Sequence, residues 1–197
     1  HQLAGHTALQ RYGHYEAIDH FTQGITLLKK LPETLERDQQ ELQLQMSLGI
    51  PFFMTKGPTG AEVEAAYSRA RRLCQHLEAT PQLVPAYLGL VRYYTVRGEL
   101  SSANEIGNKL LTLAQQLQDP LLFPTAHSAH SGVYFLLGNF IAANTQTEHA
   151  SARYEMQKHG ALTFLSGEDP GIMGLTFQSW ALWHLGYPAQ GLRKCAE

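Results

Sequence analysis

The chain has 197 residues, 44% of them apolar and 16% charged, with a formal net charge of −2. A surface that tracks phosphates carries a strong basic excess, so this balance sets nucleic acid aside. No run of about 18 apolar residues exists to cross a membrane and no basic-then-apolar leader opens the chain; two scattered cysteines form no disulfide framework, which predicts a reduced, cytoplasmic setting.

The charged fraction lies below the roughly 25% of an average soluble domain, which implies that part of the surface is normally covered. The sequence starts at His1 and stops at Glu197 inside a helical pattern, as expected of a fragment truncated at both ends.

The stretch from His1 to Arg11 reads as the tail of a helix, with Gly13 and His14 forming the turn. From Tyr15, the apolar positions Ala17, Ile18, Phe21, Ile25 and Leu28 recur at helical period, and Pro32 closes the element. A charged opening at Glu33 starts the next helix, with Leu35, Leu42, Leu44, Met46 and Leu48 apolar. Pro51 is expected to kink or end it, because proline removes a helix hydrogen bond. The loop KGPTG follows. The next stripe is Val63, Ala66, Tyr67, Ala70, Leu73, Cys74 and Leu77, with Arg69, Arg71 and Arg72 expected on a solvated face.

The stretch Pro85–Leu117 organises the chain. Tyr87, Leu90, Val91 and Tyr94 line one helix that stops at Gly98. Leu100, Ala103, Ile106, Gly107, Leu110, Leu111 and Ala114 line the next, with Ser101 and Ser102 in reach of its free N–H groups. Asp119-Pro120 ends it. A lone helical hairpin cannot bury its stripe, so it requires stacked copies. Leu121–Leu137 and Asn139 to about Met156 supply another pair, the second member packing through Phe140, Ala143, Ala150 and Tyr154. Helical period fails between His159 and Gly174, a segment read as a loop or broken helix that serves as a lid or a connector. GLTFQSWALWHLG then runs to Gly186, and Pro188 opens the last helix.

The joints share a pattern. Gly98, Gly138 and Gly186 are each followed five residues later by a small residue: Ala103, Ala143 and Gly191. The small residue lets the second helix of a pair approach the first, so enlarging Ala103 or Ala143 is expected to overpack the contact. The aromatic four residues before the glycine, Tyr94 and Tyr134, completes a joint that resembles the tetratricopeptide repeat, although Gly107 and Thr147 stand where that motif prefers an aromatic. The Leu48-Gly49…Phe52 spacing matches the same pattern. The stretches EAIDHFTQGITLLKKLPET, MTKGPTGAEVEAAYSRARRLCQHL, RYYTVRGEL and EDPG…ALWHLGYPAQ are similar to the carboxyl-terminal repeat region of large bacterial predicted ATPases, many of which carry a class III adenylate/guanylate cyclase domain.

The resemblance implies an all-α fold: antiparallel helix hairpins stacked in a right-handed tetratricopeptide-like superhelix, one array over 1–197 of about four to five helix pairs. It also implies a sensor or docking arm of a signalling ATPase or cyclase. The chemistry of that parent is absent from these residues: Gly57-Pro58-Thr59-Gly60 lacks the lysine and hydroxyl of a phosphate-binding loop, and the cyclase's metal-binding aspartates have no match.

Ten histidines raise the question of a metal. His127 and His130 have the best spacing, but no third ligand is placed to join them, so they read as buried, hydrogen-bonded histidines, with no metal and no cofactor. Cys74 and His76 point in different directions from one helix, so no catalytic residue is nominated. Asp169 reads as the cap of the helix that follows Pro170, with a loop docking a neighbouring domain as the functional alternative. First helices form the inner wall of a helical-repeat array, which selects Arg92, Thr95 and Val96, then Gly132, Phe135 and Leu136, then Trp180, Trp183 and His184 as a groove for a protein or peptide partner or the parent's own domains. The leading expectation is a non-catalytic scaffold. The alternatives are a metabolite sensor closing the same groove and self-association through uncapped ends.

Overall fold

The computed structural model describes residues 1–78, 80–156 and 169–196. Among them the protein is all-α: ten α-helices, one 3-10 turn at Thr80–Gln82, and no strand. The expected loop between His159 and Gly174 falls largely on 157–168, outside the described residues. The helices are α1 (Gln2–Gln10), α2 (His14–Leu28), α3 (Leu35–Lys56), α4 (Ala61–His76), α5 (Leu83–Val96), α6 (Leu100–Leu117), α7 (Leu122–Leu136), α8 (Phe140–Ser151), α9 (Pro170–His184) and α10 (Pro188–Cys195). They fall into two compact units, His1–Arg97 and Gly98–Glu197.

In the first unit each helix packs on the next, α1 on α2 through α4 on α5. The stripe of α2 enters the core as its period requires, with Ala17, Phe21, Ile25 and Leu28 buried against Leu44, Leu48 and Ala66. Complete burial of a phenylalanine such as Phe21 contributes about 2–3 kcal/mol. A second cluster joins Leu42 to Ala70, Leu73, Cys74 and Ala86. Tyr67 of α4 lies in a slot between two mid-helix glycines: a Cβ added at Gly49 of α3 would meet its ring at 2.1 Å, and one at Gly89 of α5 at 2.4 Å. Burial pushes the Tyr67 phenol up to about 12.

Three expectations for this unit are corrected. Pro51 does not end α3, which runs on to Lys56 with Pro51 buried inside it. Packing of that face outweighs the lost hydrogen bond. Leu35 is exposed in the first turn, while Glu41, one turn further along, is buried. The turn after α1 is carried by Tyr12, at φ 59, and not by Gly13. The Gly13 N–H reaches Ala8 O at 2.9 Å and Tyr12 N–H reaches Leu9 O at 3.0 Å, the paired bonds of a Schellman cap with tyrosine in the left-handed position.

In the second unit α7 packs on α6, α8 and α9, while α9 also packs on α8 and α10. Gly138 and Gly186 take φ of 77 and 88. Their N–H groups bond Phe135 O and Trp183 O, and those of Asn139 and Tyr187 bond Tyr134 O and Leu182 O, so both joints end in the same Schellman cap. Gly98 shares the left-handed φ, at 75. Ala103 and Ala143 are fully buried. A Cβ at Gly191 would meet Ser179 O at 2.7 Å.

Here too some expectations shift. α6 buries Leu113 where Leu111 was expected, and its start at Glu99 has no side-chain cap from Ser101 or Ser102. α8 ends at Ser151 rather than near Met156. Tyr154, beyond that end, instead bonds Asp169 through its hydroxyl, 2.9 Å from each carboxylate oxygen. α9 starts at Pro170, before Gly174, and Asp169 caps it by accepting from Gly171 N and Ile172 N.

Candidate functional site

The residues nominated from the sequence for a groove fall in both units. In the first, the Arg92 guanidinium lies 3.6 Å over the Phe53 ring. Thr95 is half-buried, with its Oγ1 left without a partner among the described residues, and Val96 is exposed at the helix end. In the second unit, Phe135 of α7 sits at the centre of an aromatic cluster. Phe177, Trp180 and His184 of α9 each lie 5.7 Å from it, and Phe140 of α8 lies 5.5 Å away. His184 stacks on Phe140 at 4.5 Å and an interplanar angle of 8°. Phe177 meets Trp180 edge-on at 5.5 Å and fills the space over Gly132, where an added Cβ would meet its ring at 2.7 Å.

The surface side of this cluster is open. Trp180 is 50% exposed, Trp183 60% and Leu136 47%. α9 stands the two tryptophans three residues apart, on one side of the helix. Offset aromatic pairs contribute about 0.5–1.5 kcal/mol each beyond area burial, so the rings are ordered by one another while their outer faces remain available.

The interior of this unit mixes apolar and polar side chains. Ser131 Oγ bonds Ala143 O at 2.9 Å and Thr147 Oγ1 at 2.8 Å, and Thr147 Oγ1 also reaches Gly174 O at 3.2 Å. Thr147 thereby ties three helices where a larger side chain would hold them apart. Gly107 plays the matching part for His130, whose ring an added Cβ would meet at 2.7 Å.

His127 and His130 are buried. His130 Nε2 pairs with Asn104 Oδ1 at 2.9 Å, and His127 Nδ1 with Gln146 Oε1 at 2.6 Å. Burial holds both imidazoles below the ordinary histidine value, His130 at about 4 with some help from its neighbour His127. They are neutral structural groups at pH 7. Among the described residues no group of three or more metal-ligating side chains comes together. Burial pushes the Cys74 thiol up to about 11, which leaves it protonated and inert.

A family-model scan matches nothing in this chain, and a search among curated proteins likewise returns no match.

Sequence reasoning missed one charged constellation. Arg69, read as solvated, donates from Nε and Nη2 to the two oxygens of buried Glu41, each at 2.7 Å. Arg69 holds the Glu41 carboxyl below the usual range, against the opposing effect of burial. The pair lines a cleft of about 550 Å³ in the first unit. Glu41 carries a charge and follows Arg37, Asp38, Gln39 and Gln40 along α3, so a reading from the amino side marks it as surface.

Proposed function

We propose that this protein is a non-catalytic interaction module, a tetratricopeptide-like stack of helix hairpins that docks an apolar segment of a protein partner through the aromatic surface of its second unit. The observation that carries this reading is the Phe135–Phe177–Trp180 cluster with Trp180 and Trp183 half or more exposed. Aromatic side chains that present large rigid faces at low entropic cost are the residues that dominate protein interfaces. The repeated left-handed glycine joints support the tetratricopeptide resemblance, and the resemblance supports a cytoplasmic place beside the ATPase or cyclase domains of a signalling chain. No helix of the described residues is long and apolar enough to cross a membrane.

The experiment is a fluorescence titration of the two tryptophans with a library of amphipathic helical peptides, repeated on Trp180→Ala and Trp183→Ala. Truncation is expected to weaken the best peptides by about 2 kcal/mol or more while the melting temperature stays within about 1–2 °C. Loss of about 3–5 kcal/mol of folding stability with affinity unchanged would return the tryptophans to the core.

A further inference from the structure

The cleft of the first unit has a chemistry that the aromatic surface does not share. Its walls come from the end of α2, from α3 and from α4. Phe52, Ala65 and Ala66 are its apolar lining, and the cations Lys29, Arg37, Arg69 and Arg72 line it together with the carboxylates Glu33, Glu41 and Glu62. These charges are unequally committed. Arg37 is occupied by Asp38 at 2.8 and 3.1 Å and by Glu33 at 3.5 Å. Arg69 is locked by Glu41 through Nε and Nη2, which leaves its Nη1 edge without a partner among the described residues. Lys29 and Arg72 have no ion pair among the described residues, and Arg72 follows Arg69 by three positions on α4. Glu62, exposed at the rim, is the carboxylate left over.

A guanidinium fixed by a buried carboxylate has already lost its rotamer freedom, so an anion that meets its second edge does not bear that cost. We propose that this cleft binds a small organic carboxylate. The carboxylate sits against the free edge of Arg69, with Arg72 and Lys29 completing the charge, and a short apolar stem lies on Phe52, Ala65 and Ala66. The volume is that of a small-molecule site and too small for a folded partner. The site lies within the first unit, so it stands or falls separately from the aromatic surface.

The test is calorimetric titration of the full chain with sodium hexanoate, alongside hexanol, hexylamine and inorganic phosphate. Arginine Nε–Hε resonances are followed by NMR to locate the ligand. Saturable hexanoate binding that shifts the Arg69 signal is expected, with hexanol, hexylamine and phosphate each at least tenfold weaker. Arg72→Ala and Lys29→Ala, both at exposed positions, should keep the melting temperature and weaken hexanoate roughly tenfold, the effect of one charged hydrogen bond. Arg69→Lys keeps a cation opposite Glu41 and removes the second edge, and should lose binding to a similar degree. The proposal is overturned if hexanoate does not saturate, if hexanol or hexylamine matches it, if phosphate alone binds, or if the three variants bind hexanoate as the parent does.

Discussion

Tyr12 shows how a single residue can sit against its own preference. It takes the left-handed position after α1 at φ 59, with glycine one place too late to do so. A side chain in that region costs about 1–2 kcal/mol. Tyr12 is 85% exposed, so little packing offsets the strain. Tyr12→Gly is therefore expected to stabilise the first unit by about 1 kcal/mol, read as a higher urea midpoint at unchanged slope. A lower midpoint would show that the tyrosine ring makes a contact that outweighs the strain. The turn itself was legible from the Gly13-His14 pair. Which residue would take the strained angle was not, because that depends on where α1 exhausts its hydrogen bonds.

At the scale of an element, the helix pairs of the second unit are set by what stands five residues after each joint glycine. Ser131 of α7 bonds the carbonyl of Ala143 directly, a contact that requires the two helices to be close. On the next pair, a methyl at Gly191 would collide with a backbone oxygen, which cannot rotate away. Ala143→Leu and Gly191→Ala should each cost about 1–3 kcal/mol by overpacking, measured by thermal or chemical unfolding. An unchanged melting temperature in Gly191→Ala would mean that α10 moves freely against α9. The reverse lesson comes from α3. Pro51 reads as a breaker in a linear scan, yet the helix continues through it because its buried face is worth more than one hydrogen bond.

For the molecule as a whole, acid should separate the two units. His130 is held near 4 when folded against about 6.5 in the unfolded chain. The unfolded state therefore takes up its proton first on acidification. The stability that this neutral histidine contributes is complete above about 6.5 and is lost progressively as the pH falls toward 4. The His127 ring acts in the same direction, because burial disfavours its charged form and the Arg153 guanidinium adds to that. In the first unit the sign is the same and the window is lower: Glu41 is lowered by Arg69, so its contribution is complete above the ordinary carboxyl range and is lost only as the pH falls through that range toward the folded value. Hydrogen exchange at pH 5 is expected to open α7 and α8 while α3 and α4 stay protected, after correction for intrinsic rates. His130→Gln should flatten the difference between pH 7 and pH 5. Equal loss of protection in both units would overturn the assignment.

Periodicity and punctuation alone determined the all-α class, the order of the helices, the stripes of α2 and α4, the joint glycines and the Asp169 cap. These are local matters: a helix stripe, a cap and a turn are decided by residues within about five positions of one another. The tertiary structure decided the rest. It assembled Tyr67 between Gly49 and Gly89 and Glu41 against Arg69, contacts whose partners lie one helix apart in the chain. Their cause is the distance of approach between helices, set by steric fit across an interface, and no pattern along a single helix encodes it.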